Sequence, residues 1–457
     1  MNKLLTGAAA IALSTSAAVA GGIERGGNAY SVLYEQGNYA QLGFSTVNPN
    51  ITGDYPTSLG GGDTDNMAKS YSHLSFAYKN DLSEALSLGF FINQPYGANA
   101  DYTQGVYQGL AADWKSDQVA AVLRYKVNQN FSVFGGLRYV RSSADIAIPD
   151  ALIRSGVNDA LEADNVRAAV AAGEAQLAQA QAAEAGLQSG NPVIEAATIA
   201  ALGLPAGTPV AAALAGVQAG IAAATDPAGD LARGQAAIAA VDTGPVGTFD
   251  YTAAGDNDGR VSYILGAAYE IPDIALRVSL TYESGYTHEF DTKEFSTGLG
   301  IAEGTSGTTE VEMPQSITLD FQSGVAKDTL VFGSIKWAEW SKWEVRTPAY
   351  AAATGSAVTG LDNDVYTYRL GVGRKFSDEF SGFARVTYED AKGGVASRLA
   401  PTDGSLAFGI GGTYTMDNIK ITGGIEYVKV GDAEDGSGVE FSGSSALGLG
   451  LSVGYTF

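Results

Sequence analysis

The chain reads as an all-β protein: a transmembrane antiparallel β-barrel of about 14 strands, with a short N-terminal plug segment and a helical, alanine-rich extracellular loop. Three observations predict this. Apolar and polar residues alternate with a period of two in segment after segment. Short polar turns and long loops take turns along the chain. And no apolar stretch of about 20 residues follows the first twenty positions, so any membrane crossing is made by strands.

The N-terminus comes first. Lys3 is followed by an apolar run from Leu4 to Ala12, and the stretch closes on Ala18-Val19-Ala20. A charged start, a short apolar core and small residues at the end make residues 1–20 a signal peptide. Residues 21–38 then precede the first strand, and 39–457 form the barrel.

The last strand is the clearest. Leu447, Leu449, Leu451, Val453, Tyr455 and Phe457 alternate with Gly448, Gly450, Ser452, Gly454 and Thr456. One face is greasy and the other small or polar. A chain that ends on Phe after such a strand carries the signal read by the barrel-assembly machinery of the outer membrane, a partner the sequence implies. Leu276, Val278, Leu280 and Tyr282 oppose Arg277, Ser279, Thr281 and Glu283, and Tyr366, Tyr368, Leu370 and Val372 oppose Thr367, Arg369 and Gly371. In a barrel the apolar face meets lipid and the polar face the lumen.

Short turns are expected at Asn80-Asp81, Asn128-Gln129-Asn130, Pro272-Asp273, Lys327-Asp328, Ser377-Asp378 and Met416-Asp417-Asn418. Longer loops fall near 48–69, 94–113, 149–257, 287–310, 346–364, 391–404 and 431–440. Short periplasmic turns and long extracellular loops orient the barrel, with both termini on the periplasmic side. Within the longest loop, residues 151–240 are dominated by Ala with Leu, Gln and Glu, a composition that favours helix. Gly190-Asn191-Pro192 ends the first helix and a second follows Pro209.

Composition excludes several functions. There is no cysteine, so no disulfide or thiolate chemistry. Fifty acidic residues against 27 basic ones give a net charge of −23, which rules out nucleic-acid binding by bulk electrostatics. His73 and His288 lie outside any metal-ligand spacing. Asp256-Asn257-Asp258-Gly259 is a weak calcium-like cluster. No Ser/His or paired-acid constellation assembles, so the chain reads as a non-enzyme without cofactor or metal.

Short segments in shared order carry a resemblance. Asn48-Pro49-Asn50-Ile51-Thr52-Gly53 follows the first strand, Pro95-Tyr96-Gly97 lies on the third, and Ile264-Leu265-Gly266-Ala267-Ala268-Tyr269-Glu270 on the sixth. Leu280-Thr281-Tyr282-Glu283-Ser284, Glu312-Met313-Pro314-Gln315 and Trp340-Ser341-Lys342-Trp343 mark the seventh to ninth. Together they resemble the outer-membrane long-chain fatty-acid and hydrocarbon transporters of the FadL/TodX type. The family closes its lumen with an N-terminal hatch of about forty residues ending in Asn-Pro-Ala. Here only residues 21–38 precede the first strand and that tripeptide is missing, although Arg25-Gly26-Gly27-Asn28-Ala29-Tyr30 is similar to part of the hatch. A shortened hatch is expected.

The resemblance implies passive uptake of hydrophobic small molecules, above all long-chain fatty acids, by lateral diffusion through the barrel wall. It implies contact with lipopolysaccharide and outer-membrane lipid. A water-filled general porin and a surface structural or adhesive protein are the alternatives. Pro95, Tyr96 and Gly97 are the expected lateral gate, because proline lacks the N–H that a paired strand needs. Arg346 and Lys342, with Arg141 and Arg260, are expected to tether a carboxylate. Trp340, Trp343, Phe290 and Tyr286 are expected to line the groove for the tail.

Overall fold

The computed structural model describes residues 23–457, so the leader expected at 1–20 lies outside the described residues. The chain divides into two compact units. One runs to Pro149 and resumes from Tyr251 to Phe457; the other is Asp150–Asp250.

The first unit is a closed antiparallel barrel of fourteen strands. In chain order these are β1 (Tyr39–Asn50), β2 (Tyr71–Asp81), β3 (Leu86–Asn93, resuming as Gly97–Asp101), β4 (Ala111–Lys126) and β5 (Phe131–Ile148). Then come β6 (Tyr251–Ile271), β7 (Leu276–Glu283, resuming as Tyr286–Ser296), β8 (Ile301–Met313, resuming as Ser316–Ala326) and β9 (Thr329–Ala338). The circle is completed by β10 (Val365–Lys375), β11 (Phe380–Glu389), β12 (Ser405–Met416), β13 (Ile419–Val430) and β14 (Ser445–Thr456). Each pairs with its neighbours in sequence, and β1 pairs with β14 from Tyr39↔Thr456 to Asn50↔Ser445. Closure removes the unpaired edge that lipid would not tolerate.

The alternation sorts as expected. Leu447, Leu449, Leu451, Val453 and Tyr455 stand exposed on the outer face, as do Leu280, Tyr368 and Leu370, while Ser279, Thr281 and Ser452 turn inward and are buried. Large apolar side chains can be exposed here because their solvent is lipid.

Two expectations are corrected. Residues 287–310 are not an irregular loop. They form most of a long hairpin in which Tyr286–Ser296 pairs with Ile301–Met313. Its outer positions are Glu289, Asp291 and Lys293, and its inner ones His288, Phe290 and Thr292. The outward positions are mostly charged where those of the lipid-facing strands are apolar, which is why it did not read as a membrane strand. The first periplasmic turn lies at residues 82–85, since β2 continues through Asn80 and Asp81.

Residues 23–38 pack inside the barrel. Val32 and Leu33 are buried with Phe91, Val122, Phe134 and Ile264. Two ion pairs and a hydrogen bond fasten this plug: Glu24 to Lys336, Glu35 to Lys420 (2.7 Å), and Arg124 donating to the Leu33 carbonyl (3.0 Å). Tyr30 donates to Glu283 at 2.5 Å, and Arg138 pairs with Glu283 at 3.0 Å. Burial and the neighbouring carboxylate push the Tyr30 phenol well above its ordinary pKa, so it remains the donor.

The second unit holds five helices: α1 (Asp150–Ala163), α2 (Val166–Leu187), α3 (Pro192–Ala201), α4 (Val210–Ala224) and α5 (Asp230–Thr243). Alanine makes them favourable as helices and glycine lets them approach. A Cβ on Gly234 of α5 would meet Val170 of α2 at 2.5 Å. Arg154 closes the unit by bonding Asp150 (2.8 Å) and the carbonyls of Ala240, Val241 and Pro245 near its other end.

Candidate functional site

Three strands are interrupted: β3 at 94–96, β7 at Ser284-Gly285 and β8 at Pro314-Gln315. All three interruptions border one aromatic cluster. Tyr96 comes from the β3 break, Trp114 from β4, Phe290 from the upper part of β7, Met313 from the β8 break, and Trp340 and Trp343 from the turn after β9. Tyr286 packs against it, and so does His288, whose ring lies 5.0 Å from that of Phe290. Gly285 is required where it stands, because a Cβ would come within 2.9 Å of the Met313 carbonyl oxygen. The β8 break frees Gln315, whose carbonyl accepts from Glu339 N–H (3.0 Å) and whose amide donates to the Glu339 carboxylate (2.9 Å). This fixes the turn that carries Trp340 inward. The rings meet edge-on: Tyr96 with Trp340 at 5.9 Å, Trp114 with Phe290 at 5.4 Å, and Trp114 with Trp343 at 6.2 Å.

Next to this cluster, and sharing Tyr96 with it, is a cavity of about 190 Å³. Its wall includes Pro95, Arg138, Glu283, Lys336, Asp320 and Arg369. The lumen is therefore apolar at the aromatic cluster and charged beside it.

The β3 break also opens the wall. Below it, β2 and β3 pair from Phe76↔Ile92 to Asp81↔Ser87. Above it, Ala68 bridges Ala100 and the Asp101 N–H donates to the Met67 carbonyl. Between them, residues 72–75 of β2 have no ladder partner on β3. The break turns inward to the plug instead: Arg25 N–H donates to the Pro95 carbonyl (2.9 Å) and Gly97 N–H to the Ile23 carbonyl (2.8 Å). A crevice of about 20 Å³ runs through this gap. It is lined by plug residues Gly27 and Ala29 at one end and by Phe44, Phe76, Ile92 and Leu451 of the outer face at the other. His73 fills it. The ring is buried, its Nε2 accepts from the Gln94 N–H (3.2 Å), and it lies so near Gly26 that a Cβ there would meet it at 3.0 Å.

The protein thus combines a closed fourteen-strand barrel, a lumen plug, an aromatic cluster and a gap in the wall. A family model described as "Outer membrane protein transport protein (OMPP1/FadL/TodX)" matches residues 207–457, more than half of the chain. The chain belongs to this family. Solved structures share the fold at low identity. A Pseudomonas aeruginosa FadL homologue is 13% identical with a TM-score of 0.60, over 94% of this chain and 93% of its own. The Pseudomonas putida toluene transporter TodX is 12% identical with a TM-score of 0.57, over 94% and 92%. The Ralstonia pickettii toluene transporter TbuX is 12% identical with a TM-score of 0.52, over 95% and 96%. No curated protein sequence matches the chain. As a FadL/TodX-family member it is an outer-membrane transporter of hydrophobic compounds, and its family is one of channels rather than enzymes.

The residues singled out from the FadL/TodX resemblance fall into three groups. Trp340, Trp343, Phe290 and Tyr286 are brought together in the aromatic cluster. Pro95, Tyr96 and Gly97 form the β3 break. Glycine at 97 serves close approach: a Cβ would crowd Arg25 (3.0 Å) and the Trp114 carbonyl oxygen (3.3 Å). The four cations are not brought together. Arg260 faces inward but is held by Asp258 (2.8 Å) and Glu289 (3.2 Å), and Arg346 is exposed and pairs with Glu344 (2.8 Å). Lys342 is exposed between the two tryptophans, and Arg141 shares the outward parity of Leu137 and Tyr139. Sequence reasoning missed His73 as the filler of the gap and His288 as a member of the cluster. The inward parity of both was the available signal. The carboxylate of Asp258, singled out as calcium-like, is taken by Arg260 and His288.

Proposed function

We propose that the protein carries small hydrophobic molecules from the aromatic cluster, past Tyr96, and sideways through the β2–β3 gap into the bilayer. The gap carries this reading: it is an interruption of the ladder with plug residues at one end and lipid-facing residues at the other. A crevice of about 20 Å³ holds little more than one water. Passage therefore requires His73 and the Gly26-Gly27 segment to move. A general porin is less well supported, because the plug is ion-paired to the barrel through Glu24–Lys336 and Glu35–Lys420 and hydrogen-bonded to it through Tyr30–Glu283.

As to the ligand, a neutral molecule suits the cluster better than a free acid. The inward cations near it, Arg138 and Arg260, already hold carboxylates. Long-chain fatty acids are the second reading, favoured by Lys342, exposed beside Trp343 at the cluster. Tyr455 and Phe457, edge to face at 5.0 Å, fit a terminal motif for the barrel-assembly machinery. The outward Arg141, on the same face as Tyr139, fits contact with lipopolysaccharide.

Pro95→Val with Gly97→Val tests the route. Valine at 95 restores a ladder donor, and valine at 97 pushes Arg25 off the break. Each new ladder bond is worth about 1 kcal/mol, so the strand gains reason to rejoin β2. Uptake of a labelled long-chain fatty acid and of a labelled neutral aromatic is measured in cells where the variant inserts normally. Both are expected to fall more than about tenfold. Unchanged uptake of both would move the exit elsewhere.

A further inference from the structure

The aromatic cluster contains polar atoms that the protein leaves unpaired. Trp340 Nε1, Trp343 Nε1, the Tyr286 hydroxyl and His288 Nε2 are all buried without a hydrogen-bond partner. The chain has four tryptophans. The other two are satisfied: Trp114 Nε1 donates to Ser116 (3.0 Å) and Trp337 Nε1 to Asp364 (3.0 Å). Buried polar groups in native proteins are almost always paired, and each exception calls for a reason. Four exceptions in one connected set of rings call for a common one. Tyr286 and His288 are in edge contact at 5.1 Å, His288 meets Trp114 at 6.1 Å, and Trp114 meets Trp343, which meets Trp340 at 6.4 Å.

We propose that this cluster is a recognition site for a neutral hydroxylated aromatic ring, a phenol-type compound. The proposal rests on the uptake reading above and names its ligand class. The unpaired indoles are neutral donors, suited to an uncharged oxygen. His288 Nδ1 lies 2.8 Å from the Asp258 carboxylate, which holds the proton on Nδ1 and leaves Nε2 as an acceptor. A hydroxyl both gives and takes a hydrogen bond, so it matches the unpaired indole donors and the His288 Nε2 acceptor alike. A methyl group would satisfy neither. A carboxylate would have no proton for Nε2 and would meet Asp258 and Glu283, which already hold Arg260 and Arg138. The rings supply edge-to-face partners for an aromatic guest. The cavity of about 190 Å³ that meets the cluster at Tyr96, and that none of the four unpaired groups lines, has room for one ring on its way to the cluster, since about 150 Å³ takes benzene.

The test uses three probes of one shape, para-cresol, para-xylene and para-toluate, titrated into the full-length protein in detergent. Para-cresol is expected to bind about tenfold tighter than para-xylene, because a site built for a hydroxyl penalises a guest without one, and para-toluate weakest. Trp340→Phe with Trp343→Phe keeps an aromatic ring at each position and removes both N–H groups. In that variant the ratio of para-cresol to para-xylene affinity is expected to fall to about twofold or less, whatever the change in para-xylene affinity from the smaller rings. Equal wild-type affinities for para-cresol and para-xylene, tightest binding of para-toluate, or an equal loss of both neutral guests in the variant would each overturn the proposal. The wild-type comparison stands even if the variant fails to fold. Binding in detergent is also independent of the wall, so failure here leaves the lateral route standing, and failure of the route leaves this site standing.

Discussion

The barrel closes at the β1–β14 seam and opens at the β2–β3 junction, and both places contain a proline. At the seam Pro49 sits inside β1 and stays in register opposite Ala446 within an unbroken run of twelve residue pairs. At the junction Pro95 lies where pairing stops after six. A missing donor is therefore not sufficient to open a wall. What differs is the alternative partner. Pro49 is near the end of its strand, and its carbonyl accepts from the Asn66 side chain (3.0 Å) without the strand leaving its ladder. The Pro95 carbonyl and the Gly97 N–H are taken by the plug, through Arg25 and Ile23. A strand can leave its ladder within the membrane only if its backbone groups are satisfied elsewhere, and the plug satisfies them.

Changes at the seam are expected to have the largest effect on stability. Leu449→Arg places a charge on the outer face and should cost about 2–4 kcal/mol near the bilayer midplane. Ser452→Asn, on the inward parity, should cost less than about 1 kcal/mol. Unfolding in urea from lipid vesicles measures both, and equal costs would mean the register of β14 is misread.

At the junction, His73→Trp should block rather than destabilise. The larger ring overfills a crevice that His73 already occupies, at a cost of about 1–3 kcal/mol, and uptake of a neutral aromatic should drop about tenfold. His73→Ala should do the opposite and raise uptake. If both variants behave like the wild type, the crevice is not on the route.

Arg25→Ala separates the plug from the wall. It removes the hydrogen bond to the Gly97 carbonyl (2.6 Å) and the stacking on Tyr71 (3.3 Å to the ring centroid). A loss of about 1–2 kcal/mol is expected in the plug's attachment, seen as faster protease cleavage of residues 23–38 with the barrel intact. Resistance equal to the wild type would show that the ion pairs deeper in the lumen hold the plug alone.

Pro95→Ala should have the smallest effect. It restores a donor but leaves both plug bonds, so uptake should change less than about threefold. A collapse of uptake in this single variant would return the proline to the centre of the mechanism and remove the difference drawn between Pro49 and Pro95.

Much of this was legible in the sequence because membrane strands are constrained locally. Lipid on one side and a packed lumen on the other force a period of two, so Leu447 to Phe457 and Leu276 to Glu283 announce their faces without help from distant residues. The alanine-rich composition of 151–240 likewise reports helix, since propensity is a property of each residue. The Tyr286–Met313 hairpin was not legible. Above the lipid its outer face meets water, and its outward positions are mostly charged.

The site was legible only as a list of residue types. Trp340, Trp343, Phe290 and Tyr286 stand out as large aromatics, but their assembly depends on three strand breaks and on Gln315 holding Glu339. The environment of each cation was hidden for the same reason. Whether an arginine awaits a ligand depends on which carboxylate lies opposite, and Glu283 for Arg138 and Asp258 for Arg260 are 145 and two positions away in sequence. The sequence by itself determined strands, faces and the closed barrel, because these follow from period and solvent. Only the tertiary structure decided where the wall opens and which buried donors remain unpaired. Both depend on groups brought together across the lumen, and neither leaves a trace in local pattern.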